Sequence, residues 1–383
     1  MITGPAFVIP IKNSIRQAEE ASERVISLCG ENGVQEKLTM SEKLQFASDY
    51  MEGAHPAILE RLLQTNLLKT DGYGLDEFSA SAKEKIREAC EAPEADIFFL
   101  VGGTQTNATV IDGFLRPYQG AIAAETGHIS VHEAGAIEAG GHKVIGLPHR
   151  LGKISAEAIL ACLETYKKDE NRDHMVMPGM VYLSQPTEFG TLYSLQDLEA
   201  ISAVCRQYKI PLYLDGARLA YALACPANDV TLPDLARLCD AFYIGGTKCG
   251  ALFGEAVVFP RRDTIPHFFT IVKQHGALLA KGRIAGLQFD TLFTDSLYGV
   301  IGENAIREAN RIRTALREKG YRQPFEAPTN QIFVILSRGQ ARDLSEKIGM
   351  SFWENIDADH VVMRIVTSWA TREEEADRLI GCL

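Results

Sequence analysis

No stretch of this chain approaches membrane-spanning length, no two cysteines stand at C-x-x-C spacing, and no cluster of Lys and Arg interleaves with aromatics. Each absence weighs against a class. Without a run of about 20 apolar residues there is no helix to enter a bilayer, so no membrane partner is expected. The eight cysteines (Cys29, Cys90, Cys162, Cys205, Cys225, Cys239, Cys249 and Cys382) are scattered, with no Cys/His group at zinc spacing, so no metal site is expected. The first residues carry no signal-peptide pattern, and reduced thiols in a cytoplasmic protein are the simplest reading. Net charge is −11 with acidic residues spread along the chain, which argues against a nucleic-acid partner. Repeats and low-complexity segments are absent too. What is present is ordinary folded composition, 46% hydrophobic and 23% charged over 383 residues. That length exceeds one hydrophobic core and predicts a large domain with a smaller companion.

The first forty residues contain IKNSIRQAEEASERVISL, whose apolar positions recur at helical spacing, so an amino-terminal arm or docking helix is expected. From HPAILERLLQTNLL onward, helical stretches alternate with short apolar runs: IFFLV (97–101), AIAA (121–124), KVIGL (143–147), MVYLS (180–184), PLYLD (211–215), AFYIG (241–245) and AVVFP (256–260). Strand and helix in alternation predict an α/β fold, a mainly parallel sheet flanked by helices. Residues 265–318 read as helical throughout. QIFVIL, a helix near 340–348, HVVMRIV and a last helix from 371 then predict a smaller C-terminal α/β domain.

Ligands bind beyond the carboxyl ends of parallel strands, so the residues after each run carry the chemistry. GGTQTN (102–107) opens a helix and suits either a phosphate cradle or an ordinary capped turn. His128 and His132 follow the second run; four apart and without a third ligand, they suit hydrogen-bonded structure or a flat ring against a planar ligand. Glu188 in QPTEFGTLY is a general acid or base, or a surface carboxylate. Asp215 ends an apolar strand, where a carboxylate must meet Arg218 or a cationic ligand group. Lys248 follows AFYIGG. Pyridoxal phosphate uses all of these together: an amine for a Schiff base, a carboxylate for the ring nitrogen and amides for the phosphate.

The motifs, in order, resemble the low-specificity threonine aldolases of the β-eliminating lyase group. They run from FASDYMEGAHP through GYGLDE, GGTQTN, TGHISVHEAGAIEAGGHKV, QPTEFGTLYSLQDLEAI, LYLDGARLAYAL and FYIGGTKCGALFGEA to QHGALLAKG, TNQIF and MRIVTSWAT, covering nearly everything after residue 45. The resemblance implies an aspartate-aminotransferase-like fold of type I, with residues 1–55 as an arm packing on the small domain, 56–290 as the large cofactor-binding domain and 291–383 as the small one. It implies Lys248 as the Schiff-base lysine, Asp215 as partner of the pyridinium nitrogen and His128 stacked on the ring. Gly103, Thr104 and Gln105 would hold the phosphate, with Thr247 nearby. Arg218, Arg364 and Ser48 would bind the substrate carboxylate, and Arg218 would also neighbour the cofactor phenolate.

The implied reaction is aldol cleavage of L-threonine, L-allo-threonine or related β-hydroxy-α-amino acids to glycine and an aldehyde, with acetaldehyde from threonine. Many relatives carry His where this chain has Glu188, so His128, Glu188 or a water could take the β-hydroxyl proton. QHGALLAKG lacks the Arg that reaches a neighbour's phosphate in some relatives, leaving Lys273 or Lys281. A homodimer or homotetramer with shared sites is implied, with Tyr73 a contributor from the neighbour. The rival readings are a carbon–carbon or carbon–sulfur β-eliminating lyase on another amino acid and a catalytically silent protein that retains the fold.

Overall fold

Each of the seven apolar runs becomes a strand of one sheet in the computed structural model, which describes residues 43–383. The expected amino-terminal helix lies outside the described residues. In chain order the strands are β1 (Leu44–Gln45), β2 (Asp96–Leu100), β3 (Gln119–Ala124), β4 (Lys143–Leu147), β5 (Met177–Ser184), β6 (Leu212–Asp215), β7 (Ala241–Gly245), β8 (Glu255–Phe259), β9 (Gln331–Ser337), β10 (Ile348–Gly349), β11 (Ser351–Asn355) and β12 (His360–Val366).

The large sheet has the order β2-β8-β7-β6-β5-β3-β4. Pairs from β4 through β3, β5 and β6 to β7 are parallel, while β8 runs antiparallel to both β7 and β2. The reversal has a local cause. Only residues 246–254 join β7 to β8, too few for the crossover that a parallel pair requires. β6, β7 and β8 are buried at every position, as strands covered on both faces by helices must be.

Helices 156–168 and 195–208 begin where the sequence supplies caps: Ser155 and Ser194 accept from the third residue beyond, and Ser194 with Asp197 forms a capping box. Residues 265–318 are three helices rather than a continuous one: Phe268–Gln274, Arg283–Leu292 and Leu297–Glu318. The breaks fall where Gly276, Asp295 and Ser296 take left-handed backbone that no helix accommodates.

A three-stranded antiparallel sheet, β11-β12-β9, follows the long helix 297–318, and β1 pairs in parallel with β10. Its core gathers Leu44 and Phe46 with Ile312, Leu316, Ile332, Val334 and Ile365. The Phe46 carbonyl accepts from the Val366 amide at 2.8 Å, which draws residues 48–50 to the end of β12.

Candidate active site

Helix 103–114 starts at Gly102, which offers no side-chain cap, so the amides of its first turn are without intrahelical acceptors. That turn faces a cavity of about 220 Å³ lined by Gly103, Thr104, Tyr50, His128, Ser184, Glu188, Asp215, Ala217, Arg218, Tyr243, Thr247, Lys248 and Glu255. The cavity lies at the carboxyl ends of β3, β5, β6 and β7, where the sequence places its chemistry. A Cβ on Gly103 would sit 3.2 Å from the Tyr243 hydroxyl, so a larger residue would crowd the turn.

Asp215 ends β6 and is buried. Its Oδ2 accepts from the Tyr182 hydroxyl at 2.6 Å and Asn107 Nδ2 at 3.0 Å, its Oδ1 from the Ala217 amide at 3.0 Å. Burial alone would push this carboxyl up; the His128 ring and hydrogen bonds from Tyr182, Tyr243 and Asn107 hold it below the usual carboxylate range. The expected Asp215–Arg218 pair does not form. The turn through Gly216 folds the Ala217 amide back onto Asp215 and carries Arg218 toward Asp49, which accepts from Nε at 2.6 Å and Nη2 at 3.0 Å.

His128 directs Nδ1 to Glu133 Oε1 at 2.7 Å, and Glu133 also accepts from Asn107 Nδ2 at 2.7 Å. Burial raises the Glu133 carboxyl, opposed by these two bonds. Ligand-type atoms of His128, Glu133 and Asp215 lie within 4.8 Å of one another, and Asn107 Nδ2 donates to both carboxylates. Glu188 Oε1 accepts from the His128 amide at 2.9 Å and from Ser184 Oγ at 2.8 Å. Burial lifts its carboxyl above the ordinary value against those bonds, and Asp215 adds to the lift.

Lys248 is half-buried, with Nζ 6.0 Å from the centre of the Tyr50 ring and its carbonyl accepting from the Tyr221 hydroxyl. Burial and then the Arg218 charge depress its amine, while Asp49, Asp215 and Glu255 pull the other way. An amine so placed spends more time neutral, hence nucleophilic, than a surface lysine.

Other expected residues divide. Arg364 on β12 stacks over Trp353 at 5.6 Å and donates to Gln331 Oε1 at 3.0 Å; its Nε finds no acceptor and it forms no ion pair among the described residues. Ser48 Oγ is buried without a partner among the described residues. Gln105 turns its amide nitrogen to the His275 carbonyl, away from the cavity. Tyr73 does not line it either. It sits on a separate cavity with Gly74, Phe98 and Leu278, under Lys273 Nζ at 4.9 Å. Sequence reasoning missed Asp49, Asn107, Glu133, Tyr182 and Glu255. Of these only Glu255 leaves a visible signal, as a charge opening the apolar strand EAVVF.

A mainly parallel seven-stranded sheet with a lysine, a carboxylate and an uncapped helix at its strand ends has the architecture of fold-type-I enzymes. Thermus thermophilus aspartate aminotransferase shares it at a TM-score of 0.65 and 14% identity, covering 100% of this chain and 99% of that one. The chain belongs to the beta-eliminating lyase family, whose description matches residues 45–337. It is similar to a threonine aldolase of Leishmania major, with 42% identity, a TM-score of 0.85 and coverage of 88% of this chain and 97% of that one. It is 28% identical to the low specificity L-threonine aldolase of Pseudomonas aeruginosa over 338 residues, 88% of this chain and 95% of the relative.

Proposed function

We propose that this protein cleaves β-hydroxy-α-amino acids, L-threonine and L-allo-threonine among them, to glycine and an aldehyde with pyridoxal 5'-phosphate as cofactor. One observation carries the reading: the Lys248 amine, the Asp215 carboxylate and the uncapped turn at Gly103 and Thr104 line a single cavity. The residues fit the cofactor. The open amides suit a phosphate, Thr247 lines the same cavity, and Asp215 is kept charged by the His128 ring and by hydrogen bonds from Tyr182, Tyr243 and Asn107, so that it would hold the proton at a ring nitrogen. When bound, pyridoxal phosphate supplies the electron sink that lets the Cα–Cβ bond break.

Lys248 would hold the cofactor and yield it to the substrate amine. Arg364, with Nε unmet, and Ser48, with a buried hydroxyl unmet, are the groups for the substrate carboxylate. Arg218 already gives Nε and Nη2 to Asp49, which leaves it one nitrogen for the same task. Holding the carboxylate in a planar fork fixes which bond at Cα stands ready to break. Glu188 takes the β-hydroxyl proton: Oε1 is already occupied, Oε2 has no partner among the described residues, and its raised carboxyl is a stronger base than an exposed one. His128, held by Glu133, would lie against the cofactor ring.

In this reading residues 56–290 hold the cofactor, 291–383 supply Arg364, and a homodimer or homotetramer lets Tyr73 of one copy serve another. Seven cysteines among the described residues are free, in keeping with a cytoplasmic protein. No helix among the described residues is long and apolar enough to cross a membrane. Purified protein given cofactor and each threonine diastereomer should release glycine and acetaldehyde in equal amounts. Neither product at any substrate concentration sinks the proposal.

A further inference from the structure

β8 returns antiparallel beside β7, and that reversal places its first residue, Glu255, opposite Gly245 at the end of β7 and opposite Leu100 at the end of β2. These strands lead to the lysine turn and to the helix of the open amides. Glu255 is 2% exposed, yet it lines the cavity with Lys248. Its Oε1 accepts from Thr247 Oγ1 at 2.7 Å and its Oε2 from the Gly246 amide at 3.0 Å, while Thr247 Oγ1 accepts from the Gly254 amide at 3.1 Å. The carboxylate thus ties both ends of the loop that presents Lys248.

No cation lies within ion-pair distance of Glu255 among the described residues, and β8 is otherwise wholly apolar. The fold does not need a charge at this position, and burying one with only an amide and a hydroxyl is costly. We infer that Glu255 is a positioning residue for Lys248: it anchors the Gly246–Thr247 turn that presents the amine, and from the shared cavity its carboxylate joins Asp49 and Asp215 in favouring the ammonium. The inference rests on the role of Lys248 proposed above.

Burial pushes the Glu255 carboxyl up to about 7, against the bonds from Thr247 and Gly246 and the pull of Lys248, with Asp215 adding to the rise. The other ionisable groups that act with it are Tyr213, Tyr243, Cys249 and Tyr298. At neutral pH Glu255 therefore titrates where Lys248 works. As an anion it favours the ammonium; once protonated it withdraws that support and the amine is freer to be neutral.

The test reads Lys248 itself. Full-length protein, dialysed free of aldehydes, is reductively methylated with isotope-labelled formaldehyde across pH 6–10, and the Lys248 peptide is quantified by mass spectrometry. E255Q should move the labelling midpoint down by about half a pH unit or more, a roughly threefold rise in labelling at fixed pH, the effect of one neighbouring charge even under strong screening. E255D, which keeps the charge, should stay near the unsubstituted midpoint. An E255Q protein with native near-ultraviolet dichroism and an unmoved midpoint overturns the inference, as does an E255D midpoint equal to that of E255Q. Should E255Q not fold, the unsubstituted protein decides: labelling should fall by less than tenfold per pH unit around pH 7, and a simple one-proton curve refutes the coupling. Borohydride reduction with pyridoxal phosphate separates the two claims. No adduct with an intact labelling shift sinks the cofactor reading and spares the inference; an adduct without a shift does the reverse.

Discussion

Removing the Asp49 carboxylate turns Arg218 from a paired cation into an unpaired one inside the protein. Asp49 is fully buried, and the Arg218 side chain is 13% exposed. Asp49 accepts two bonds from the guanidinium and a third from Asn330 Nδ2 at 2.9 Å. Burial would raise this carboxyl; Arg218, Lys248 and Asn330 bring it below the ordinary value instead. A carboxyl lowered by folding contributes its stabilisation fully above the unfolded value near ~3.9 and loses it as pH falls through the lowered folded one, so at pH 7 the whole contribution is present.

Asp49→Ala should therefore cost about 3–5 kcal/mol at pH 7, most of it the penalty of the stranded guanidinium. Arg218→Met should be costly for the mirror reason. The double variant should lose less than the sum of the two, by roughly 2–3 kcal/mol, because neither charge is left behind. Urea denaturation at pH 7, with and without cofactor, measures all three. Added salt should not remove the coupling, since buried charges are weakly screened. Losses additive within about 0.5 kcal/mol would refute the reasoning.

Asp215→Asn keeps the acceptor for Tyr182 and Asn107 but loses the charge and turns an NH2 toward the Ala217 amide, so the protein should fold with stability lowered by about 1–3 kcal/mol while turnover falls by roughly 10²-fold or more, checked by steady-state kinetics. Glu188→Gln should lower kcat by about 10²–10⁴ with KM little changed. In the unsubstituted enzyme kcat should fall as pH drops through the raised Glu188 value, and the Gln variant should lack that limb. Arg364→Lys keeps the charge but not the fork; KM should rise about tenfold while stability changes little, and an unchanged KM would remove Arg364 from carboxylate binding.

The rule that strand ends carry chemistry singles out Gly103, His128, Glu188, Asp215 and Lys248, which line one cavity, because each lies at the end of an apolar run that becomes a strand or within four residues after it. Local pattern could not reveal Asp49 as the partner of Arg218, since 169 positions separate them and only the pairing of residues near 46 with β12 joins them in space. Asn107 and Tyr182 were invisible for another reason: on helix and strand they look like fillers, and their contact with Asp215 depends on which side chains the sheet brings together. The sheet was legible except for the sense of β8, which depends on loop length. The breaks near residues 276 and 295 were missed because apolar spacing alone was allowed to run through a glycine and an Asp–Ser pair in left-handed backbone.

The central claim places the cofactor on Lys248. Reducing the loaded protein with borohydride, digesting it and sequencing the modified peptide by mass spectrometry tests that claim at a named atom. The pyridoxyl group should appear on Lys248 and on no other lysine, and Lys248→Ala should carry none and release no glycine from threonine. A modification elsewhere, or full turnover by the Ala variant, would contradict the account.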